Sequence, residues 1–448
     1  MKSSLMCLAL LCLSPRLSSQ EVLKETPSWS KNSNIYEVNI RQYTPEGTLD
    51  AFSEHLPRLN KMGVDILWLM PVQPIGMERR KGKLGSYYSI SDYRAINPEY
   101  GNETDFKELV ELAHSLGMKV ILDWVANHSA WDHEWVASNP DFYTNNKNGY
   151  IVSPVEDWSD VADLNYTNEN LRREMVDAMK FWIDKYDIDG FRCDVAGMVP
   201  DDFWKTSILE LTAIKKDLFM LAEAEDPKYH ANGFDMTYNW SVYNATNKLA
   251  NGELTAEDFE GVIMENLSLY PEGAYRMLFT TNHDENSWNG TAFERLGEAT
   301  QTMFVLSATL PGMPLIYSGQ EAGLNKSLKF FEKDTISFED LETYEPFYSS
   351  LLHLKTTNQA LQNGEWGGPV FTIYLDDRVW MFARQREEHK ILVIVNLSSM
   401  ESNIKVNSDA IKGKYIDIFN GEKINLNSNF KANLSPWQYI VYSQDDRR

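Results

Sequence analysis

Residues 168–195, NENLRREMVDAMKFWIDKYDIDGFRCDV, decide the fold. Asn168–Tyr186 reads as one long amphipathic helix, and it feeds Gly190–Val195, a strand carrying Arg192 and Asp194. The same alternation of strand and helix recurs on both sides. Upstream, Ile35–Ile40 is a short strand, and Thr48–Met62 carries Leu49, Phe52, Leu56 and Leu59 at helical spacing until Gly63 stops it. Val64–Met70 is a near-continuous apolar run, the mark of a strand buried on both faces. Glu103–Leu116 is helical and closed by Gly117, and Lys119–Val125 is the next buried strand. Downstream, a helix over 200–216 leads to Leu218–Ala222, and Tyr275–Thr281 and Met313–Ser318 continue the series. A weaker strand around Gly233–Met236 brings the count to eight. Eight such units over roughly 350 residues fit an α/β chain folded as a (β/α)8 TIM barrel better than an open doubly wound sheet. No glycine-rich phosphate loop follows the first strand, which weakens a dinucleotide-binding reading.

Two intervals depart from the rhythm. Between the third strand and its helix lies a long irregular segment, 129–167, rich in Trp, Asn, Asp and Pro, and an insertion of that length points to function. From residue 366 the pattern turns to short alternating strands, Val379–Arg384, Ile391–Asn396, Tyr415–Phe419 and Trp437–Tyr442. These predict a C-terminal β-sandwich over 366–448, leaving the barrel the intervals 30–128 and 168–365. At the other end, Lys2, the apolar run Leu5–Leu13 and the small residues Ser18 and Ser19 read as a signal peptide over 1–19. A secreted or periplasmic protein is expected, in which loss of Cys7 and Cys12 leaves Cys193 without a disulfide partner. No later stretch is long and apolar enough to cross a membrane.

Composition narrows the partners. The 448 residues hold 65 acidic against 42 basic side chains, a formal net charge of -23. Such a chain repels phosphate backbones and anionic lipid, so neither nucleic acid nor a membrane surface is expected as a partner. With 13 Trp and 22 Tyr it suits a neutral ligand with flat apolar faces, such as a sugar.

In a barrel of this kind the active site forms where strands end and loops begin. The third strand ends Asp123-Trp-Val-Ala-Asn127-His128, the fourth reads Gly190-Phe-Arg192-Cys193-Asp194, the fifth Leu221-Ala-Glu223-Ala-Glu225, and the seventh ends Asn282-His283-Asp284. Four strands thus deliver carboxylates to one rim. Alternation turns Arg192 and Asp194 the same way, and a guanidinium beside a carboxylate favours the ionised form that a nucleophile needs. Glu223 stands between alanines, where a carboxyl tends to keep its proton. One carboxylate and one carboxylic acid are what glycosidic cleavage requires. Asp284 could offset the positive charge developing on the sugar, and His128 and His283 could bind its hydroxyls. Cys193 points away from the site.

Those segments, DWVANH at 123–128, GFRCDVA at 190–196, LAEAE at 221–225 and TTNHDE at 280–285, resemble in order four regions of the α-amylase family of glycoside hydrolases. GVDILWLMPVQP at 63–74, DLN at 163–165, GMPLIYSGQE at 312–321 and the Tyr88–Tyr93 segment extend the likeness over about residues 30–445. The resemblance implies a barrel with an inserted domain after the third strand and a C-terminal β-sandwich. It implies Asp194 as nucleophile, Glu223 as general acid/base and Asp284 as transition-state stabiliser. Tyr88, Asp123, His128, Arg192 and His283 would line the sugar. The family mechanism is retaining, which requires the two principal carboxyl groups about 5–5.5 Å apart. The implied substrates are starch-type α-1,4-glucans or maltooligosaccharides.

Other readings compete. Asp194 could pair with Arg192 for structure alone; Glu225 shares its strand face with Glu223, and only the family register separates the two. Asp123 could be scaffold or sugar contact, and Trp131, Trp135, Tyr143 and Trp158 could be platforms or packing. Many family members bind calcium, and Asn127 and Asp163 match two of its usual oxygen ligands, far short of the six to eight that Ca²⁺ takes. Gly197 and Met198 stand where many α-amylases have Lys and His, which leaves open both calcium and the leaving-group contacts. Val195 also occurs in relatives cutting α-1,6 bonds, so α-1,6-glucosidase, neopullulanase-like and transglycosylating activities stay open. From other classes come a non-catalytic α-glucan-binding protein and a metal-dependent hydrolase with His128, His283 and Asp284 as ligands.

Overall fold

The computed structural model describes residues 24–444. The signal-peptide reading, with Cys7 and Cys12, lies outside the described residues. Eight parallel strands close into a barrel: β1 (Ile35–Val38), β2 (Ile66–Leu69), β3 (Lys119–Trp124), β4 (Gly190–Cys193), β5 (Phe219–Ala222), β6 (Met236–Tyr238), β7 (Tyr275–Leu278) and β8 (Met313–Tyr317). Each strand pairs with its neighbours in sequence, and β1 closes the ring on β8. Every strand residue from β1 to β8 is buried except the half-exposed Lys119, which explains the unbroken apolar runs. Ile35, Ile66, Ile121, Phe219, Leu221, Met236, Met277 and Leu315 fill the interior, while Tyr36, Leu67, Val120, Phe191 and Met220 join the layer between strands and helices. Gly190 opens β4 because a Cβ there would lie 2.0 Å from the Phe219 carbonyl oxygen.

Some boundaries differ from the sequence reading. Thr48–Met62 is two helices, Leu49–Ser53 and Leu56–Met62, the first capped by Thr48 and the second ended by left-handed Gly63. Ile40 starts a short helix, Ile40–Tyr43, rather than ending β1. The sixth strand sits later than Gly233–Met236. Gly233 adopts φ 100° after the Lys228–Ala231 helix, and Asp235 accepts the Met220 N–H through its side chain, so pairing starts at Met236.

Within 129–167, His128–Ala130 pairs antiparallel with Val161–Asp163 around a compact loop. Trp135 stacks on Tyr93, Trp131 lies under the Arg79 guanidinium and Tyr143 bonds Ser129, so these three aromatics are packing residues. At the C-terminus, six antiparallel strands and a separate pair, Ser402–Asn407 with Asn429–Leu434, share one apolar layer. Val370–Leu375, Lys423–Leu426 and both strands of that pair are not legible in the sequence. Buried Arg384 ties this domain to the barrel through the carbonyls of Thr309 and Gln362.

Candidate active site

The inward positions of the strands alternate, and near the rim an apolar residue gives way two places later to one that carries chemistry. Ile35 is followed by Glu37, Ile66 by Trp68, Ile121 by Asp123, Gly190 by Arg192, and Leu221 by Glu223. Arg192 is the hub. Its Nη1 pairs with Asp123 Oδ1 at 2.9 Å and Asp194 Oδ1 at 3.0 Å, and Nη2 lies 2.8 Å from Glu223 Oε2. Its Nε donates to the Tyr238 hydroxyl, and the guanidinium lies over the Trp68 ring. Asp123 also accepts from Trp68 Nε1 at 3.1 Å and the Tyr88 hydroxyl at 3.0 Å, so it braces Arg192 and Tyr88.

This corrects one expectation. The guanidinium does not belong to Asp194 alone; it bridges Asp194 and Glu223, and the surroundings of Glu223 are not simply apolar. The backbone contributes too. Val195, immediately after Asp194, sits at φ 34°, ψ 48°, a left-handed conformation that costs a β-branched residue about 1–3 kcal/mol. In that conformation its N–H donates to Glu223 Oε2 at 2.7 Å. Glu225 is elsewhere, paired with Arg276 at 2.9 Å and capping Ser241 N, so the structure separates the rival acids that alternation left together.

His283 forms a second hub. Its Nδ1 is 2.5 Å from Glu37 Oε1, and its Nε2 is 2.7 Å from the Tyr88 hydroxyl and 3.2 Å from Asp284 Oδ2. Burial alone would lower its pKa, but Asp284 and Glu37 together raise it well above the usual imidazole value, so the ring is imidazolium at neutral pH. Burial favours the neutral acid at Asp284 as well, yet His283 outweighs it and holds that carboxyl below its usual range. Asp284 also lies in the first turn of the helix His283–Trp288, where negative charge is favoured.

Five carboxyl groups, Glu37, Asp123, Asp194, Glu223 and Asp284, therefore share two cations, Arg192 and His283. Burial first, and then the Glu223 charge, push Asp194 well above its usual range; burial also raises Glu223, against the pull of Arg192. Both shifts favour the neutral acid, which makes the Asp194–Glu223 pair the place in this cluster best suited to hold a proton.

A cleft of about 650 Å³ opens above this cluster, lined by Tyr88, His128, Trp158, Asp194, Glu223, His283 and Asp284 among others. Burial lowers the His128 pKa to about 4, so its ring is neutral, with Nδ1 3.2 Å from Asn127 Nδ2. Trp158, tilted against His128, is the insertion aromatic that reaches the cleft. Cys193 packs outward in the core, as alternation predicts. Every catalytic and sugar-contact candidate from the sequence thus borders the cleft or, like Asp123 and Arg192, lies directly beneath it. Glu37 and Trp68 were missed, although the same alternation that singles out Asp123 also points Glu37 inward.

The metal donors are sparse. Asp163 lies beside His128 in the strand pair that follows Asn127, and burial raises its pKa. Among the described residues no three His, Cys, Asp or Glu side chains stand together as metal ligands. Asn127 and Asp163 supply two side-chain oxygens of the six to eight that Ca²⁺ takes, and His283 has both nitrogens engaged by Glu37, Tyr88 and Asp284, which does not fit a metal-ligand role.

The sequence profile described as "Alpha amylase, catalytic domain" matches residues 26–158 and 143–359. Alpha-amylase MalA of Haloarcula japonica is 29% identical over 420 residues, covering 87% of this chain and 60% of that protein. Alpha-amylase 3 of Dictyoglomus thermophilum is 27% identical over 491 residues, covering 92% and 93%. The crystal structure of the noncanonic maltogenic alpha-amylase AmyB from Thermotoga neapolitana superposes with a TM-score of 0.84 at 30% identity, covering 93% of this chain and 99% of that one. With the barrel and its buried carboxylate cluster, these matches show that the chain belongs to the α-amylase family of glycoside hydrolases.

Proposed function

We propose that the protein hydrolyses α-glucosidic bonds of starch-type α-1,4-glucans or maltooligosaccharides with retention, through a covalent glycosyl-enzyme. The observation that carries this reading is Arg192, one buried guanidinium holding both Asp194 and Glu223 at the floor of a sugar-sized cleft. Protonated Glu223 gives its proton to the glycosidic oxygen as Asp194 attacks the anomeric carbon, and the leaving sugar departs with a free hydroxyl. Glu223, now ionised, takes a proton from water, whose oxygen displaces Asp194 and restores both groups. Asp284 stabilises the oxocarbenium-like transition state, while Tyr88 and imidazolium His283 orient the ring.

Proton NMR of the first-formed product tests it: an α-anomer is expected, and an initial β-anomer contradicts the double displacement. Linkage preference is the second question, since relatives are named maltogenic alpha-amylase, cyclomaltodextrinase and oligo-1,6-glucosidase. Product profiles on maltotriose, pullulan, isomaltose and starch separate α-1,4 from α-1,6 action. A glucan-binding protein without catalysis would show binding and no products. The N-terminal segment supports a proposal of export to a secreted or periplasmic location, where such substrates are met.

A further inference from the structure

We propose that a built wall closes the glycone end of the cleft, so that the enzyme attacks α-glucans from their non-reducing ends and releases short products of fixed length. This rests on the glycosidase reading above and adds where on the chain it cuts. In that chemistry the leaving sugar lies beside Glu223 and Val195, on the β4–β5 side of the barrel. The glycone must therefore lie toward β8, β1 and β2, which are contiguous on the opposite side.

That side is lined by segments after β2 and β8 together with the tip of the insertion. Phe330 stacks behind Tyr88, with ring centroids 6.3 Å apart and planes 14° apart, and Trp288 packs on both Phe330 and Phe331. The segment after β2 is sewn to this aromatic group: Lys83 N donates to Glu332 Oε1 and Leu84 N to the Phe331 carbonyl. Lys81 then reaches across to the insertion, donating to the Asp157 carbonyl and pairing with Asp160 at 3.4 Å. Lys81, Asp157, Asp160, Phe330 and Phe331 all line the cleft.

The wall is braced from below. Buried Arg41, just after β1, donates to the carbonyls of Leu84, Gly85 and Phe330, and Gln42 donates to those of Lys329 and Glu332. Two side chains from one short helix thus hold both segments through carbonyl oxygens, an arrangement that fixes backbone position rather than surface charge. The opposite side carries the short turn Ala196–Met198, whose Met198 is exposed. A polymer can leave by that side and cannot thread past the wall.

The test uses the full chain and two maltoheptaosides, one with a free non-reducing end and one capped there by an ethylidene bridge, with products followed by mass spectrometry. The free substrate should be consumed about 100-fold faster, with one short product dominating from the first time points. Equal consumption of both, or an early ladder of lengths, overturns the proposal while leaving the glycosidase reading intact. Consumption of neither overturns that reading and the proposal with it. Lys81→Ala combined with Phe331→Ala, checked for an unchanged melting temperature, should raise the capped-to-free ratio about tenfold. A ratio that stays put in a folded variant refutes the assignment of the wall to these residues.

Discussion

The two ends of the barrel treat the same residue type in opposite ways. At the catalytic rim, five carboxyl groups share Arg192 and His283. At the other end, Asp189, just before β4, has three basic partners of its own: Lys119 at 3.0 Å, Lys215 at 3.1 Å and His114 at 2.7 Å. Burial would raise the Asp189 pKa, but His114, Lys215, the Val120 N–H and Lys119 together bring it to about 2. Surplus cations make a carboxylate permanent and structural. Surplus carboxylates leave a proton in place that can be moved, which is what acid catalysis needs.

The largest effects are expected at the rim. Asp194→Asn and Glu223→Gln are each expected to lower kcat by about 10³–10⁴-fold while leaving glucan binding measurable by calorimetry. Full activity in either variant removes the role assigned to it. At the opposite end, Asp189→Asn should cost about 2–3 kcal/mol in urea unfolding, because two partly exposed lysines lose their buried anion, with kcat unchanged. The wild-type contribution of Asp189 should be present above the usual carboxylate range and lost as pH falls through about 2, since its folded pKa is depressed.

A smaller effect is expected at Glu37. Glu37→Gln takes away one of the two carboxylates that raise the His283 pKa, so His283 should lose its proton about one pH unit lower. The sign follows from the raised pKa in the fold: the imidazolium is favoured up to that raised value and is lost as pH climbs through it. Histidine NMR reports the same shift directly, and an unmoved His283 titration contradicts the role given to Glu37. The smallest effect is expected from chelation, which should leave the melting temperature in place. A drop restored by added calcium would mean that backbone oxygens complete a site around Asn127 and Asp163.

The barrel was legible because its strands are buried on both faces and its helices are amphipathic, which leaves two distinct periodicities in the chain. The rim residues were legible because chemistry-bearing side chains interrupt those apolar runs at strand ends. Glu37 lies in just such a place, in Ile35-Tyr-Glu-Val38, but with one acidic residue and no neighbouring motif histidine the segment reads as an ordinary strand. Arg192 bridging two carboxylates was hidden because sequence neighbours show one partner, whereas Glu223 arrives from the adjacent strand. The separation of Glu223 from Glu225 depends on where β5 ends, at Ala222, beyond which alternation no longer governs direction. The wall was invisible for a different reason: its parts, Lys81, Asp160 and Phe331, are far apart in the chain and carry no periodicity.

Trapping a glycosyl-enzyme would show which carboxylate is the nucleophile. A fluorinated glucosyl fluoride slows the second displacement, and intact-protein mass spectrometry followed by peptide mapping locates any covalent sugar. The arrangement around Arg192 predicts one glycosyl adduct per chain, on the peptide containing Asp194 and absent in Asp194→Asn. An adduct on another carboxylate, or turnover of the reagent with no adduct at any time, would contradict it.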